Sequence, residues 1–112
     1  NGTITLQQTG TIKTEEKTHV DSAAAEAIAS VVTATHTAAF FDYVIKKGTN
    51  VRAGVVVACH DGTNVEYAET STVDLGDTSD VTLSVDISGT IMRLMATTTS
   101  NDWSVKSLIR GI

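Results

Sequence analysis

Proline is absent from this 112-residue chain. Ordinary usage would supply roughly 5%, so a polyproline stalk, a collagen repeat and a proline-rich linker are excluded. Cysteine occurs once, which rules out an internal disulfide. Aromatic residues are reduced to Phe40, Phe41, Tyr43, Tyr67 and Trp103, leaving few rings to stack on a sugar. Basic residues are scarce: 8 Lys and Arg face 13 Asp and Glu, for a net charge of −5. Nucleic acid and anionic membranes recruit positive surface, so neither is an expected partner. No apolar run approaches the ~18–20 residues that a helical membrane span needs, so no membrane insertion is expected. The chain opens at Asn1 with no basic-then-apolar leader, which reads as a processed product or the ordered part of something longer.

What is present favours strands. The chain holds 19 Thr, 13 Val and 8 Ile, whereas Leu occurs only five times. β-Branched side chains are stiff at χ1 and fit a pleated surface better than a helix. Hydrophobic residues at 41% and charged residues at 19% allow a core and exclude compositional disorder. The length fits one domain, and the class is all-β.

Alternation places strands at residues 3–8, 11–20, 40–46, 51–59, 65–70, 81–87, 91–97 and 103–109. In residues 40–46, Phe41, Tyr43 and Ile45 alternate with Phe40, Asp42 and Val44, so both faces carry apolar groups. Residues 51–59 are nearly continuous Val and Ala, the pattern of a strand covered on both sides. The phrase Gly-Thr-Asn-Val occurs at Gly48 and again at Gly62, and Ser88-Gly89 forms a third connector. Gly takes positive φ freely and Asn tolerates it, so each phrase reads as a hairpin turn. Residues 71–80 have no periodicity and read as a crossover loop.

Residues 21–32 pull two ways. Ala23, Ala24, Ala25, Ala27 and Ala29 are strong helix formers, and Ala24, Ala27, Ile28, Val31 and Val32 share one helical face. The stretch is short for an isolated helix, and Thr33, Thr35 and Thr37 favour extended chain. A strand over the second half is the expectation.

Residue types with chemical potential do not converge in the sequence. Cys59-His60-Asp61 are neighbours on a strand end, where successive side chains point to opposite faces, so they cannot meet at one reacting atom. Cys59 is in phase with Val55 and Val57 and reads as a small buried hydrophobe; His60 and Asp61 read as the rim of a turn. His19, His36 and His60 share no metal-ligand spacing with one another or with Cys59, so no metal and no cofactor is expected. Asp74, Asp77 and Asp80 lie every third residue around Gly76 but lack the D-x-D-x-D-G core and closing Glu of a calcium loop; a solvated acidic loop is the simpler reading. Glu15-Glu16 with Lys13 and Lys17 reads as a solvated strand or arm face. Phe41, Tyr43 and Trp103 lie in strand phase and read as core, leaving Tyr67 as the candidate exposed ring. Asn1-Gly2-Thr3 fits a glycosylation sequon, a pattern frequent by chance.

Between residues 38 and 112 the string resembles a module of bacteriophage virion proteins, often found at the C-terminal end of tail fibres. The resemblance is carried in order by residues 39–45 (AFFDYVI), 60–65 (HDGTNV), 83–89 (LSVDISG), 92–97 (MRLMAT) and 103–110 (WSVKSLIR). It implies an antiparallel, jelly-roll-like β-sandwich that packs against copies of itself as a homotrimer. It also implies a structural or attachment role on the virion surface, as a tail or head fibre or a capsid decoration, and no catalysis. Residues 38–112 would be the core sandwich, with residues 1–37 as N-terminal strands or an arm. The three-fold order rests on the resemblance alone.

Self-association also follows from the residues. A two-layer sandwich covers one face of each sheet, yet residues 40–46 and 51–59 offer apolar groups to both. The surplus nominates Phe40, Val44 and Val56 as subunit-interface residues. The loops carrying Asp74, Asp77, Asp80, Asn101 and Asp102 are the candidate contacts with a host surface or its glycans. A second reading is a monomeric carbohydrate-binding or adhesin domain with Tyr67 or Trp103 in the contact. A small enzyme ranks third, because no acid, base and nucleophile converge in the sequence.

Overall fold

The computed structural model describes residues 2–6 and 10–112. Asn1 of the sequon, and Gln7 and Gln8 of the first expected strand, lie outside the described residues. Strands follow one another as β1 (Ile4–Thr5), β2 (Thr11–Val20), β3 (Glu26–Val32), β4 (Ala38–Lys47), β5 (Asn50–His60), β6 (Val65–Ser71), β7 (Val81–Ser88), β8 (Ile91–Thr98) and β9 (Trp103–Gly111). Among the described residues there is no helix.

The alanine-rich segment resolves into a turn at residues 22–24 and strand β3. Pairing with β8 supplies β3 with a ladder of backbone bonds that a short surface helix would lack, and it buries Ile28, Ala29 and Val31. A register shift between Ala27 and Ala29 marks a bulge, which lets the adjacent Ile28 and Ala29 both turn inward. Tertiary burial thus overrides the helix propensity of alanine.

The strands form two antiparallel sheets, one of six strands in the order β1-β2-β9-β4-β5-β6 and one of three in the order β3-β8-β7. Pairing of β2 with β9 and of β3 with β8 joins distant parts of the chain, as Greek-key connections do. The jelly-roll expectation needs correction elsewhere. A jelly roll spreads eight strands over two sheets by two Greek keys, whereas here β4, β5 and β6 run as a meander within one sheet. The connectors explain it: the turn at Gly48 and Thr49, and residues 61–64, are tight links that keep successive strands paired side by side. Gly48 and Gly62 adopt φ of 60° and 98°, as the turn chemistry requires. Only the longer connection of residues 72–80 carries the chain from β6 across to β7.

Between the sheets lie Phe41, Ile45, Val56, Trp103, Val105 and Ile109 from the larger sheet, facing Ile28, Val31, Leu83, Val85, Met92 and Leu94 from the smaller. β2 and β3 contribute Val20, Ile28 and Val31 to this core. The bulge that seats Val20 falls between Lys17 and Val20, where His19 adopts φ of 55°. The connections at residues 21–25, 48–49, 72–80 and 99–102 gather at one end of the sandwich. The first strand pair and Ile112 lie at the other.

Candidate functional site

The outer face of the six-stranded sheet is the candidate site. Register places Phe40, Asp42 and Val44 of β4 beside Val57, Val55 and Ala53 of β5, and beside Arg110, Leu108 and Lys106 of β9. β2 adds Ile12, Thr14 and Glu16 to the same face. Strict alternation along β9 buries Trp103, Val105, Ser107 and Ile109 and leaves Lys106, Leu108 and Arg110 outside. The result is a largely apolar surface with no third layer over it among the described residues. Its middle dips into a shallow, open groove of about 650 Å³ lined by Val44, Ala53, Leu108, Thr14, Glu16 and Lys106.

Charge on this face is partly neutralised from within. Arg110 donates to both carboxylate oxygens of Asp42, at 3.2 and 3.3 Å, and its guanidinium lies 4.7 Å from the centre of the Phe40 ring. Such a guanidinium both covers the ring and presents a flat cationic surface. Lys46 and Lys106 are exposed and, among the described residues, are in no ion pair.

Phe40 and Val44 therefore occupy the face that a neighbouring subunit could reach, half-buried in the single chain. Val56 does not. It pairs with Phe41 on the core side and is 1% exposed, so its nomination as an interface residue is corrected. Its place on the outer face is taken by Val55 and by Val57, which is 40% exposed. The same phase reverses the expectation for Cys59: it does align with Val55 and Val57, but that face is the open one, and Cys59 is exposed.

The acidic residues named from the sequence serve chiefly to hold loops. Both carboxylate oxygens of Asp74 accept from Thr78, at 2.8 Å from its amide and 2.6 Å from its hydroxyl. Those bonds, the hydroxyl first, keep the Asp74 carboxyl below its ordinary range. Asp77 accepts from the Ser79 amide and is likewise held low by Ser79. Asp80 accepts from the Ser100 hydroxyl, which in turn accepts from the indole N–H of Trp103. Asn101 accepts from the amide and hydroxyl of Ser22, and the Asp102 amide donates to Asp21. Asp102 adopts φ of 67° and bonds the ring of His19 at 3.2 Å. The fold thus brings Asp80, Asn101 and Asp102 together at one end, knitted to residues 21 and 22. Asp74 and Asp77 lie apart in their own turn. Among the described residues, no three His, Cys, Asp or Glu groups gather as metal ligands would.

His60 and Asp61 do form the rim of the turn at residues 61–64. Asp61 accepts from the amides of Asn64 and Thr63, and these bonds pull its carboxyl down to about 2. Tyr67, on edge strand β6, is 45% exposed as expected.

Two features escaped the sequence reading. One is a partly buried polar cluster at the β6 edge of the sandwich. The Tyr43 hydroxyl donates to Glu69, whose carboxylate is 3.4 Å from Arg52. Arg52 reaches on to the Thr78 hydroxyl and the Val81 carbonyl, at 3.2 and 3.3 Å. Burial first, and then the bond to Glu69, push the Tyr43 hydroxyl up to about 12, so it is a donor and not a base. The cluster pins the crossover loop to the large sheet. The second feature is Val73 and Leu75, 91% and 69% exposed in that loop. The signal for them was two apolar residues interleaved with Asp74 and Asp77 in a segment without periodicity.

No family model matches the chain, and no curated protein matches its sequence. Among solved structures, the fold is similar to part of the tailspike protein gp49 of Acinetobacter baumannii bacteriophage Fri1, a capsular polysaccharide depolymerase. The TM-score is 0.54 at 11% identity, over 97% of this chain and 19% of that one. The likeness is one of fold, and the chain spans about a fifth of the protein it matches.

Proposed function

We propose that the chain is a β-sandwich module of a bacteriophage virion structural protein, in a tail or head fibre, spike or capsid decoration, and that it assembles with copies of itself. The observation that carries this reading is the outer face of the six-stranded sheet, where Phe40, Val44, Val55, Val57 and Leu108 form an apolar surface over which no further layer packs among the described residues. Burying such a face against a sister subunit removes apolar area from water at about 25 cal/mol per Å². The resemblance of residues 38–112 to phage virion modules and the fold shared with part of a tailspike support the same setting. A homotrimer is the expected order. Its partners are itself and other virion proteins, and the connections at residues 21–25, 48–49, 72–80 and 99–102 are the surface offered to the host and its glycans. The role is assembly and attachment rather than catalysis, and needs no cofactor.

Light scattering after size exclusion, at two concentrations and with and without chelator, tests this reading. A stable oligomer unaffected by chelator is expected. A monomer at all concentrations overturns it and favours the second reading, a monomeric glycan-binding domain, for which the exposed Tyr67 ring speaks. Glycan-array binding lost on Tyr67→Ala would identify that alternative.

A further inference from the structure

We propose that Val73 and Leu75 of one copy insert into the groove over Val44, Ala53 and Leu108 of the next copy, joining subunits loop-into-sheet around a closed ring. The proposal rests on the self-association reading above, adds which two surfaces meet, and takes residues 72–80 out of the surface offered to the host. Val73 and Leu75 are large apolar side chains held out in water, at 91% and 69% exposure. Their loop is braced for it. Leu75 exchanges backbone hydrogen bonds with Val51 at 2.8 and 3.0 Å, and the Thr72 amide donates to Ala53. Behind them, Thr78 is fully buried and held by Asp74 and Arg52. A knob fixed before contact loses little conformational freedom on docking.

The groove cannot take its own loop. Leu75 is bridged to Val51 along the edge of β5, whereas the groove runs over the face formed by β2, β9, β4 and β5. The charges of the two surfaces are complementary. Asp77, exposed two residues after Leu75, stands beside the apolar pair, while Lys46, two residues from Val44 on the face of the groove, is exposed and in no ion pair among the described residues. At the groove, Asp42 is neutralised by Arg110, Glu16 stands opposite Lys106 in register, and Glu15 turns to the other face of the sheet, where it accepts from the Ser30 amide. Two different patches on one chain make a heterologous contact, and such a contact closes into a ring when the rotation allows.

The test is the native mass of the full chain and two variants, with circular dichroism and thermal melting as checks on folding. Val73→Asp with Leu75→Asp alters the knob, and Leu108→Glu alters the groove; both change exposed side chains. The wild type is expected to be an oligomer, each variant to associate about tenfold or more weakly and to run as a folded 11.8 kDa monomer. An equimolar mixture of the two variants restores one intact knob and one intact groove, so it is expected to give a two-chain species and no closed ring. Lys46→Glu should weaken association, and adding Asp77→Lys should restore it. A knob variant with the wild-type oligomeric mass overturns the docking while leaving self-association standing. A mixture that stays monomeric also overturns it. A monomeric wild type overturns both readings together.

Discussion

The hydroxyl of Tyr43 lies 2.8 Å from where a Cβ on Gly54 would stand. The two residues are direct cross-strand partners on the core side of β4 and β5. Because Gly54 has no side chain, the Tyr43 ring crosses β5 and delivers its hydroxyl to Glu69 on β6. A Cβ at Gly54 would also fall 2.3 Å from the carbonyl oxygen of Thr70, a backbone atom that cannot swing aside. Gly54→Ala is therefore expected to lower stability by about 2–3 kcal/mol through overpacking. Urea unfolding measures this, and an unchanged midpoint would contradict the close approach.

Tyr43 gives the fold a pH dependence at the alkaline side. In the folded chain its hydroxyl holds its proton to about pH 12, against 10.0 for a free tyrosine. Between those values the folded state binds more protons than the unfolded state, so stability falls as pH rises. The contribution is complete below pH 10 and is lost on passing through 12, about 2–3 kcal/mol in all. Wild type and Tyr43→Phe compared by denaturation from pH 8 upward should show the slope only in the wild type.

Arg52 holds the crossover loop. It bonds the Thr78 hydroxyl and the Val81 carbonyl and pairs with Glu69. Arg52→Met keeps much of the apolar stem but leaves Glu69 without its cation, which should cost about 2 kcal/mol in this partly buried setting. Hydrogen exchange of the Thr78 and Val81 amides should quicken more than that of β4 or β9. Uniform acceleration across all strands would instead mean that the loop is not separately held.

Val56 and Val57 are neighbours with opposite fates. Val56→Ala should lower stability by about 2 kcal/mol through the lost packing of a buried side chain, with native mass unchanged. Val57→Glu should leave the chain folded and weaken self-association, since its side chain lies on the open face. Melting curves and native mass taken on the same two proteins separate the effects.

Alternation along the chain was enough to place eight of the nine strands, because a pleated strand repeats every two residues whatever it packs against. Turns at Gly48, Gly62 and Gly89 were equally legible, since positive φ strongly favours glycine. In β9, where apolar and polar residues alternate, the buried face could be read directly. β5 was different: Val55, Val56 and Val57 are the same residue, so the period fixes which members share a face but not which face is inside. Only the pairing of Val56 with Phe41 decided that, and it sent Cys59 to solvent and Val56 to the core. The alanine-rich segment was settled in the same way, by the free strand edge that β8 offers to Glu26–Val32. The Tyr43–Glu69–Arg52 cluster joins three successive strands and became visible only when the meander set their registers side by side. Local sequence determined strand, turn and phase, because these depend on one residue's own backbone preferences. Inside against outside, and which polar groups meet, were decided by the sheets, because burial belongs to the assembled layers and to no segment alone.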